Sequence, residues 1–478
     1  MASILSDNNV NTKCQVFTPS NIVNNMLDLV RYTSNLKGKR VLENSCGDGA
    51  FLAQIVERYI RDAYESERSV EEIREGLEKD IVAFEIDDSL IKTCIQKLDI
   101  IARQYGISSV KWNINCADFL KTEQKESFDF IIGNPPYICY ADLSTEDRAF
   151  LRASFATCKR GKFDYCYAFI EKSYHLLRDG GQLSYIIPSN FFKNVFAADI
   201  RQLIRDDLIA IIDFPEESVF NGVLVSPAVI YLQKNTTTSI LKYQIGMNKD
   251  PEIRELIKES FADKWYFTEY DIKGKRVGDC FKVSNAVATL YNKAFVIKDY
   301  SLEGEYFIVD GKKIERTIMR IAASPKSMRY AKQEEFIIFP YREDDNGTIS
   351  HYTLDEMYSF FPCAMKYLEQ NKEDLLERDS DNNAEWFEYG RSQALQRLHS
   401  SKLLISTVIS EDTNTYLLGP GQVPYAGLFI TQKTDVPLSL LEEALASKRF
   451  KEYASRVGVR VSGSSKRITA RDLENYTF

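Results

Sequence analysis

Histidine is scarce, with three residues in 478, and the nine cysteines are scattered without a single C-x-x-C pair. Closely spaced ligand pairs of the kind a structural zinc site uses are therefore missing. An odd cysteine count without local pairing reads as reduced thiols, most of them packing residues. No stretch of about twenty apolar residues occurs, so a membrane-spanning helix is not expected. The opening MASILSDNNVNTKCQ has neither a basic lead nor an apolar run and does not read as a signal peptide. These absences predict a cytoplasmic protein without a membrane partner. Net positive charge is lacking too: 61 Lys and Arg stand against 69 Asp and Glu, a balance of −8. A protein that coats nucleic acid is thereby disfavoured, although contact depends on where the basic residues lie rather than on their sum. Local clusters do occur at Lys273, Lys275 and Arg276, and at Lys466, Arg467 and Arg471; a solvated face is the plainer reading of each.

What is present is the balance of a soluble globular chain, 44% hydrophobic and 27% charged. Its length suits two domains. Through the first half, apolar runs alternate with helical stretches, the pattern of an α/β fold with a largely parallel sheet. Residues 20–34 place Ile22, Val23, Met26, Leu27 and Val30 on one helical face, with Ser20 as the expected N-cap. Strands are expected at RVLEN (40–44), IVAFEID (81–87), VKWNINCADF (110–119), FDFIIGNPPY (128–137), GGQLSYIIP, IAIIDF and PAVIYLQK. Helices are expected from Ala50, up to about Gln104 and at 164–178, with the charged segment 55–79 as a surface insertion. NTTTS at 235–239 is a polar break and an expected connection between domains. Beyond it, helices are expected at 353–376, 384–399 and 438–456 and strands at 335–341, 402–409 and 426–431, an α+β pattern without repeats.

Four segments carry chemistry. Asn134-Pro135-Pro136-Tyr137 directly follows the apolar strand FDFIIG, at the carboxyl end where open α/β sheets bind ligands. A flat aromatic amine is a poor nucleophile, because its lone pair is delocalised into the ring. The Asn134 side-chain carbonyl and the Pro135 backbone carbonyl can both accept hydrogen bonds from such an NH₂ group and favour tetrahedral nitrogen. The prolines stiffen the loop, and Tyr137 offers a stacking face worth about 1–3 kcal/mol. A proline turn closing a strand is the plain alternative for the tetrapeptide alone. Glu43-Asn44-Ser45-Cys46-Gly47-Asp48-Gly49 lies between a strand and its helix. It lacks the G-x-G-x-x-G spacing, which disfavours NAD or FAD, while its glycines permit close approach of a ligand to backbone. Glu85 ends the strand IVAFEID, where a carboxylate can accept from both hydroxyls of a ribose. Asp118-Phe119 follows the next strand and can take an adenine amino group and ring. Singly, each acid fits a solvated strand end; in register they describe a nucleoside pocket.

The order QVFTPSNIVNNMLDLV, VLENSCGDGAFL, FEIDD, ADFL, IIGNPPY resembles the amino-methyltransferases of restriction–modification systems in their gamma, TaqI-like motif order. The resemblance covers about residues 13–235. It implies a Rossmann-like class I domain dependent on S-adenosylmethionine, which leaves as S-adenosylhomocysteine, followed by a C-terminal α+β target-recognition domain. Phe17, Thr18 and Pro19 would border the methionine moiety, joined around the cofactor by Glu43, Ser45, Gly47, Asp48, Gly49, Glu85, Ile86, Asp118, Phe119 and Asn134. By the same resemblance, residues 162–204 contain Phe196, which would stack on the base opposite Tyr137; Phe191 and Phe192 lie close enough in sequence for the assignment to slip.

The expected division is a catalytic domain over 1–240 and a DNA-reading domain over 241–478, where WFEYGR, PYAGLFI and SGSSKRITARDLENY are only generally similar to target-recognition domains. Arg391, Lys466, Arg467 and Arg471 are the candidates there for contacting DNA. The implied reaction is methylation of the 6-amino group of an adenine flipped into the pocket from duplex DNA bound across the cleft between domains, because that nitrogen is otherwise held in the stack. It needs no metal and no covalent intermediate. A monomer is expected, with any cognate endonuclease acting separately on the same site. Methylation of cytosine amino groups, of RNA or of a protein glutamine amide are the alternative reactions, and a DNA-binding subunit without catalysis is the alternative class.

Overall fold

The computed structural model describes residues 18–125, 127–214, 226–247, 251–261, 264–267, 273–344, 346–411, 413–462 and 464–478. The chain divides into two compact units, Met1–Phe267 and Thr268–Phe478.

The first unit is built on a nine-stranded sheet. Its strands are β1 (Val41–Glu43), β2 (Ile81–Glu85), β3 (Asn113–Cys116), β4 (Phe128–Gly133), β5 (Leu177–Pro188), β6 (Leu208–Asp213), β7 (Pro227–Gln233), β8 (Ile240–Ile245) and β9 (Ile253–Ile257). They lie in the order β3-β2-β1-β4-β5-β7-β6-β8-β9. β1 to β5 run parallel, and β7 enters antiparallel between β5 and β6. The helices are α1 (Ser20–Leu29), α2 (Ala50–Glu65), α3 (Val70–Asp80), α4 (Asp88–Gln104), α5 (Thr145–Ser154), α6 (Cys166–Leu176) and α7 (Ala198–Ile204).

Both faces of the sheet are covered, so its central strands read as continuous apolar runs. Alternate side chains feed two separate cores. Leu42, Val82, Ile131, Leu183, Ile211 and Ile230 belong to one, and Val41, Ala83, Ile132, Ile186, Ile212 and Val229 to the other. Each fully buried aliphatic side chain stabilises the sheet by about 1.5–3 kcal/mol. A one-residue slip would exchange the two sets, so the register that fixes the strand ends is strongly specified.

Several expectations differ from the structure. The segment 55–79 is not a surface insertion: it forms most of α2 and α3, and Ile55, Val56, Tyr59, Ile60, Ile73 and Leu77 are wholly buried. Its apolar stripe is hidden among charges that mostly lie on the other face, Asp62 being the buried exception. Ser20 is the first residue of α1 and not its cap; the amides of Ile22 and Val23 bond instead to the carbonyl of Pro19. The polar break at 235–239 does not end the first unit. β8 pairs with β6 beyond it, and Phe261, Trp265 and Phe267 pack into the core, which moves the division to 267/268.

The second unit combines small sheets with short helices. One four-stranded sheet joins Phe281–Asn285, Leu428–Gln432, Lys402–Ile405 and Thr415–Leu418, and a core includes Ile337, Met357, Leu368 and Phe387. The helix expected at 384–399 is absent, leaving a 3₁₀ turn at Leu395–Arg397. The Arg378 guanidinium takes the carbonyls of Trp386 and Glu388 at 2.7 and 3.0 Å, and such carbonyls would otherwise serve a helical ladder. The helix expected at 438–456 is broken at Ser447, which caps a second helix by accepting from the Phe450 amide. No described helix is long and apolar enough to cross a membrane.

Gly76 tests the packing of α3. A Cβ there would lie 2.1 Å from the Tyr59 hydroxyl oxygen, which donates to Asp80 at 2.6 Å. Gly76→Ala should therefore lower stability in urea unfolding by about 1–3 kcal/mol, despite the better helix propensity of alanine. Adding Tyr59→Phe should recover part of that loss; a Gly76→Ala variant as stable as wild type would contradict the packing.

Candidate active site

Neighbouring strands diverge at the β1/β4 boundary, since the chain leaves β1 towards β2 on one side while β4 flanks it on the other. This is the switch point at which open α/β sheets hold ligands. The loops after both strands meet there. Ser45 Oγ donates to the Asn134 carbonyl at 3.1 Å, and Asn134 Nδ2 donates to Thr18 Oγ1 at 3.2 Å. The second bond sets the orientation of the amide: with its NH₂ on Thr18, its oxygen is the end turned the other way. Thr18 is itself buried, so the segment before α1 reaches the Asn134 loop. Phe17 lies outside the described residues.

The glycine loop is drawn onto β2. The Cys46 amide bonds to the Phe84 carbonyl at 2.9 Å, and the Gly47 amide bonds to Glu85 Oε2 at 2.8 Å. Glu85 Oε1 accepts from the amides of Ile86 and Asp87 at 2.9 and 3.1 Å. Its carboxylate is thus held by three backbone donors while its remaining lone pairs stay available to a ligand. Both glycines have left-handed φ, +53° at Gly47 and +88° at Gly49, but for different reasons. A Cβ on Gly49 would strike Cys94 Sγ at 2.6 Å, whereas one on Gly47 would meet open space. Gly49 lets α2 approach α4; Gly47 leaves room for a ligand. Asp48 turns away to an ion pair with Lys97 on α4. Glu43 is 2% exposed, and burial, with Cys94 and Glu85 nearby, pushes its carboxyl well above the usual range.

At the end of β3, Asp118 Oδ1 caps the 3₁₀ turn Phe119–Lys121 by accepting from the Leu120 amide at 2.9 Å. Its other oxygen is buried and makes no hydrogen bond among the described residues, with the Lys121 ammonium 3.7 Å away. Phe119 is not positioned as a free stacking face: it is 2% exposed, between Phe84 and Phe169. Ile86, 42% exposed beside Glu85, is the apolar surface at this end.

At the other end, Tyr137 donates its hydroxyl to the Ile186 carbonyl at 2.9 Å, which fixes the ring, and burial raises its phenol pKa. Phe191 and Phe192 are core residues packed on Trp265, while Phe196 is 41% exposed. Of the three candidate rings, Phe196 alone presents a surface.

The residues present fit S-adenosylmethionine. An anchored acid suits ribose hydroxyls, the buried Asp118 oxygen makes no hydrogen bond among the described residues, and the open side of Gly47 accommodates a chain without phosphates. Among the described residues no group of histidines, cysteines and acids could hold a metal ion. Of the basic residues expected at DNA, Arg391 is committed to Asp379 and Asp381 at 3.0 and 3.1 Å. Lys466 and Arg467 lie on the short strand Ser465–Arg467 and Arg471 on the helix Ala470–Glu474, with Arg467 and Arg471 exposed.

Sequence reasoning missed Lys172. This α6 residue sends its ammonium to the carbonyls of Phe119, Leu120 and Thr122 and sits 4.6 Å from the Phe119 ring centre. It ties down the turn whose other end Asp118 caps, a long-range link that no local spacing announces. Burial lowers its pKa to about 8, with Asp118 opposing. Above that pH the neutral amine loses its charge-assisted bonds. Cofactor affinity, followed by calorimetry from pH 7 to 9, should accordingly fall in wild type as pH passes about 8 and hold in Lys172→Arg. Lys172→Met should bind roughly tenfold more weakly, or about 1.4 kcal/mol, across the range. Wild-type affinity in Lys172→Met at pH 7 would remove this positioning role.

Residues 49–220 match the model of the Eco57I restriction-modification methylase family. Over 69% of its length the chain is 23% identical to the Type II restriction enzyme and methyltransferase RM.Eco57I of Escherichia coli, and spans only 38% of that protein. Type II methyltransferase M.BstVI of Geobacillus stearothermophilus is 24% identical, over 96% of this chain and 88% of its own length. In fold, the Type IIL restriction-modification enzyme MmeI, solved in complex with DNA, is similar over 94% of this chain and 63% of its own, with a TM-score of 0.58 at 13% identity. Residues 49–220 are thus similar to the Eco57I restriction-modification methylase family, and nearly the whole chain is similar to a Type II methyltransferase.

Proposed function

We propose that this chain transfers a methyl group to the 6-amino group of an adenine extruded from duplex DNA, as the modification activity of a restriction–modification system. The observation that carries this reading is the Asn134 amide, held through its NH₂ by Thr18 with its backbone carbonyl held by Ser45. A carbonyl oxygen fixed in this way at a switch point suits an exocyclic amine. MmeI, of similar fold, is described in complex with DNA, which supports DNA as the substrate class.

Bound beside this loop, S-adenosylmethionine supplies a methyl group on a positively charged sulfur. Asn134 Oδ1 and the Pro135 carbonyl accept hydrogen bonds from the amine and draw its lone pair out of the ring. Tyr137, with its ring fixed through Ile186, stacks on one face of the adenine and Phe196 on the other. Nitrogen forms one bond to the methyl carbon as the carbon–sulfur bond breaks, and the surplus N–H proton then leaves to water. Alignment supplies most of the acceleration. Glu85 accepts from the ribose hydroxyls, with Asp118 and Ile86 at the adenine of the cofactor. Lys466, Arg467 and Arg471 remain candidates for contacting DNA in the second unit. A cognate endonuclease, where one exists, acts separately on the same sequence.

Radiolabelled cofactor offered with duplex DNA, ribosomal RNA and ribosomal protein should label the DNA. Asn134→Ala should lose roughly 100- to 1,000-fold in single-turnover rate, the cost of one preorganised transition-state partner, with cofactor affinity nearly intact. Label on RNA or a protein amide instead of DNA would overturn the substrate, and wild-type turnover in Asn134→Ala would overturn the mechanism.

A further inference from the structure

The turn that follows α5 carries three cations in four residues, Lys159, Arg160 and Lys162 around Gly161, in a chain of net charge −8. All three are exposed. Arg160 faces one carboxylate, Asp199, at 3.8 Å. Lys159 and Lys162 have no ion-pair partner among the described residues. Arg391, by contrast, is matched by two aspartates. Unmatched cations concentrated in one turn leave a local positive field that a polyanion can use.

The turn is also placed against the proposed base pocket. Gly161 adopts a left-handed φ of +73°, and a Cβ on it would lie 2.1 Å from Phe196 Cδ1: the exposed Phe196 ring rests on the turn's backbone. From the other side, Arg152 donates to the Gly161 carbonyl at 3.3 Å and to the Tyr140 hydroxyl at 2.9 Å. Tyr140 follows Tyr137 by three residues on the same loop. The turn that carries the cations is therefore held between Phe196 on one side and, through Arg152, Tyr140 on the other. A base entering between Tyr137 and Phe196 brings its own sugar–phosphate backbone to this rim.

We infer that the Lys159–Lys162 turn is a phosphate-contact site for the DNA strand that carries the target base, an inference that rests on the DNA reading above. It holds the backbone while the base is out of the stack and reads no sequence, because phosphate contacts position rather than specify. It also gives the first unit a DNA contact of its own.

The test is binding of a fluorescent random-sequence duplex, by anisotropy, from roughly 50 to 200 mM salt. The full chain is compared with Lys159→Gln, Lys162→Gln, their double variant and Lys92→Gln, which removes an equal charge on α4. Each turn lysine should cost roughly five- to tenfold in affinity at about 0.1 M salt and reduce the salt slope by about one. Cofactor affinity and the Lys92→Gln variant should be unchanged. Equal losses in Lys92→Gln and the turn variants, or wild-type affinity and slope in the double variant, would overturn the phosphate site and leave the methylation reading standing. Failure of wild type to bind any duplex would overturn both.

Discussion

The site depends on the meeting of two strand-end loops at the β1/β4 boundary, where Ser45 holds the Asn134 backbone and Thr18 holds its side-chain amide. An amide in water is free to rotate, and a carbonyl that must be turned towards an amine during reaction spends part of its effect on that reorganisation. Here three separated segments fix it in advance. The register of β1 against β4 puts the segments in reach, and the two cores make that register costly to change. Packing far from the chemistry thus sets the aim of one oxygen.

Around that point the two ends of the pocket differ in character. The cofactor end is acidic, with Glu85 tied to backbone amides and Asp118 capping its turn. The other end has aromatic rings with cations at its rim. This polarity suits a nucleoside bearing a sulfonium on one side and a nucleic-acid strand on the other. An overall acidic composition conceals it, because the three cations of this turn are local and few against a net charge of −8.

Much of this was legible in the sequence because it is local. Apolar runs marked the first seven strands, the first four of them each followed by a motif residue, and a strand end is where an α/β sheet binds. Tertiary features were harder to read. The stripe of α2 and α3 was masked by charge, and the sheet continued past a polar break because β8 pairs with β6. Where a helix was expected at 384–399, Arg378 claims the Trp386 and Glu388 carbonyls. At the site, proximity in sequence could not separate Phe196 from Phe191 and Phe192, whereas burial does. Phe119 and Asp48 show the reverse: the motif positions were found, but one ring is core and one carboxylate serves Lys97.

The central claim is that this pocket accepts the amino nitrogen of adenine. The most direct measurement incubates duplex DNA with the chain and isotopically labelled S-adenosylmethionine, digests the product to nucleosides and identifies the labelled one by mass spectrometry. The account predicts label in N6-methyldeoxyadenosine. Label in 5-methyldeoxycytidine, formed by chemistry at carbon for which a fixed carbonyl acceptor has no use, would contradict it.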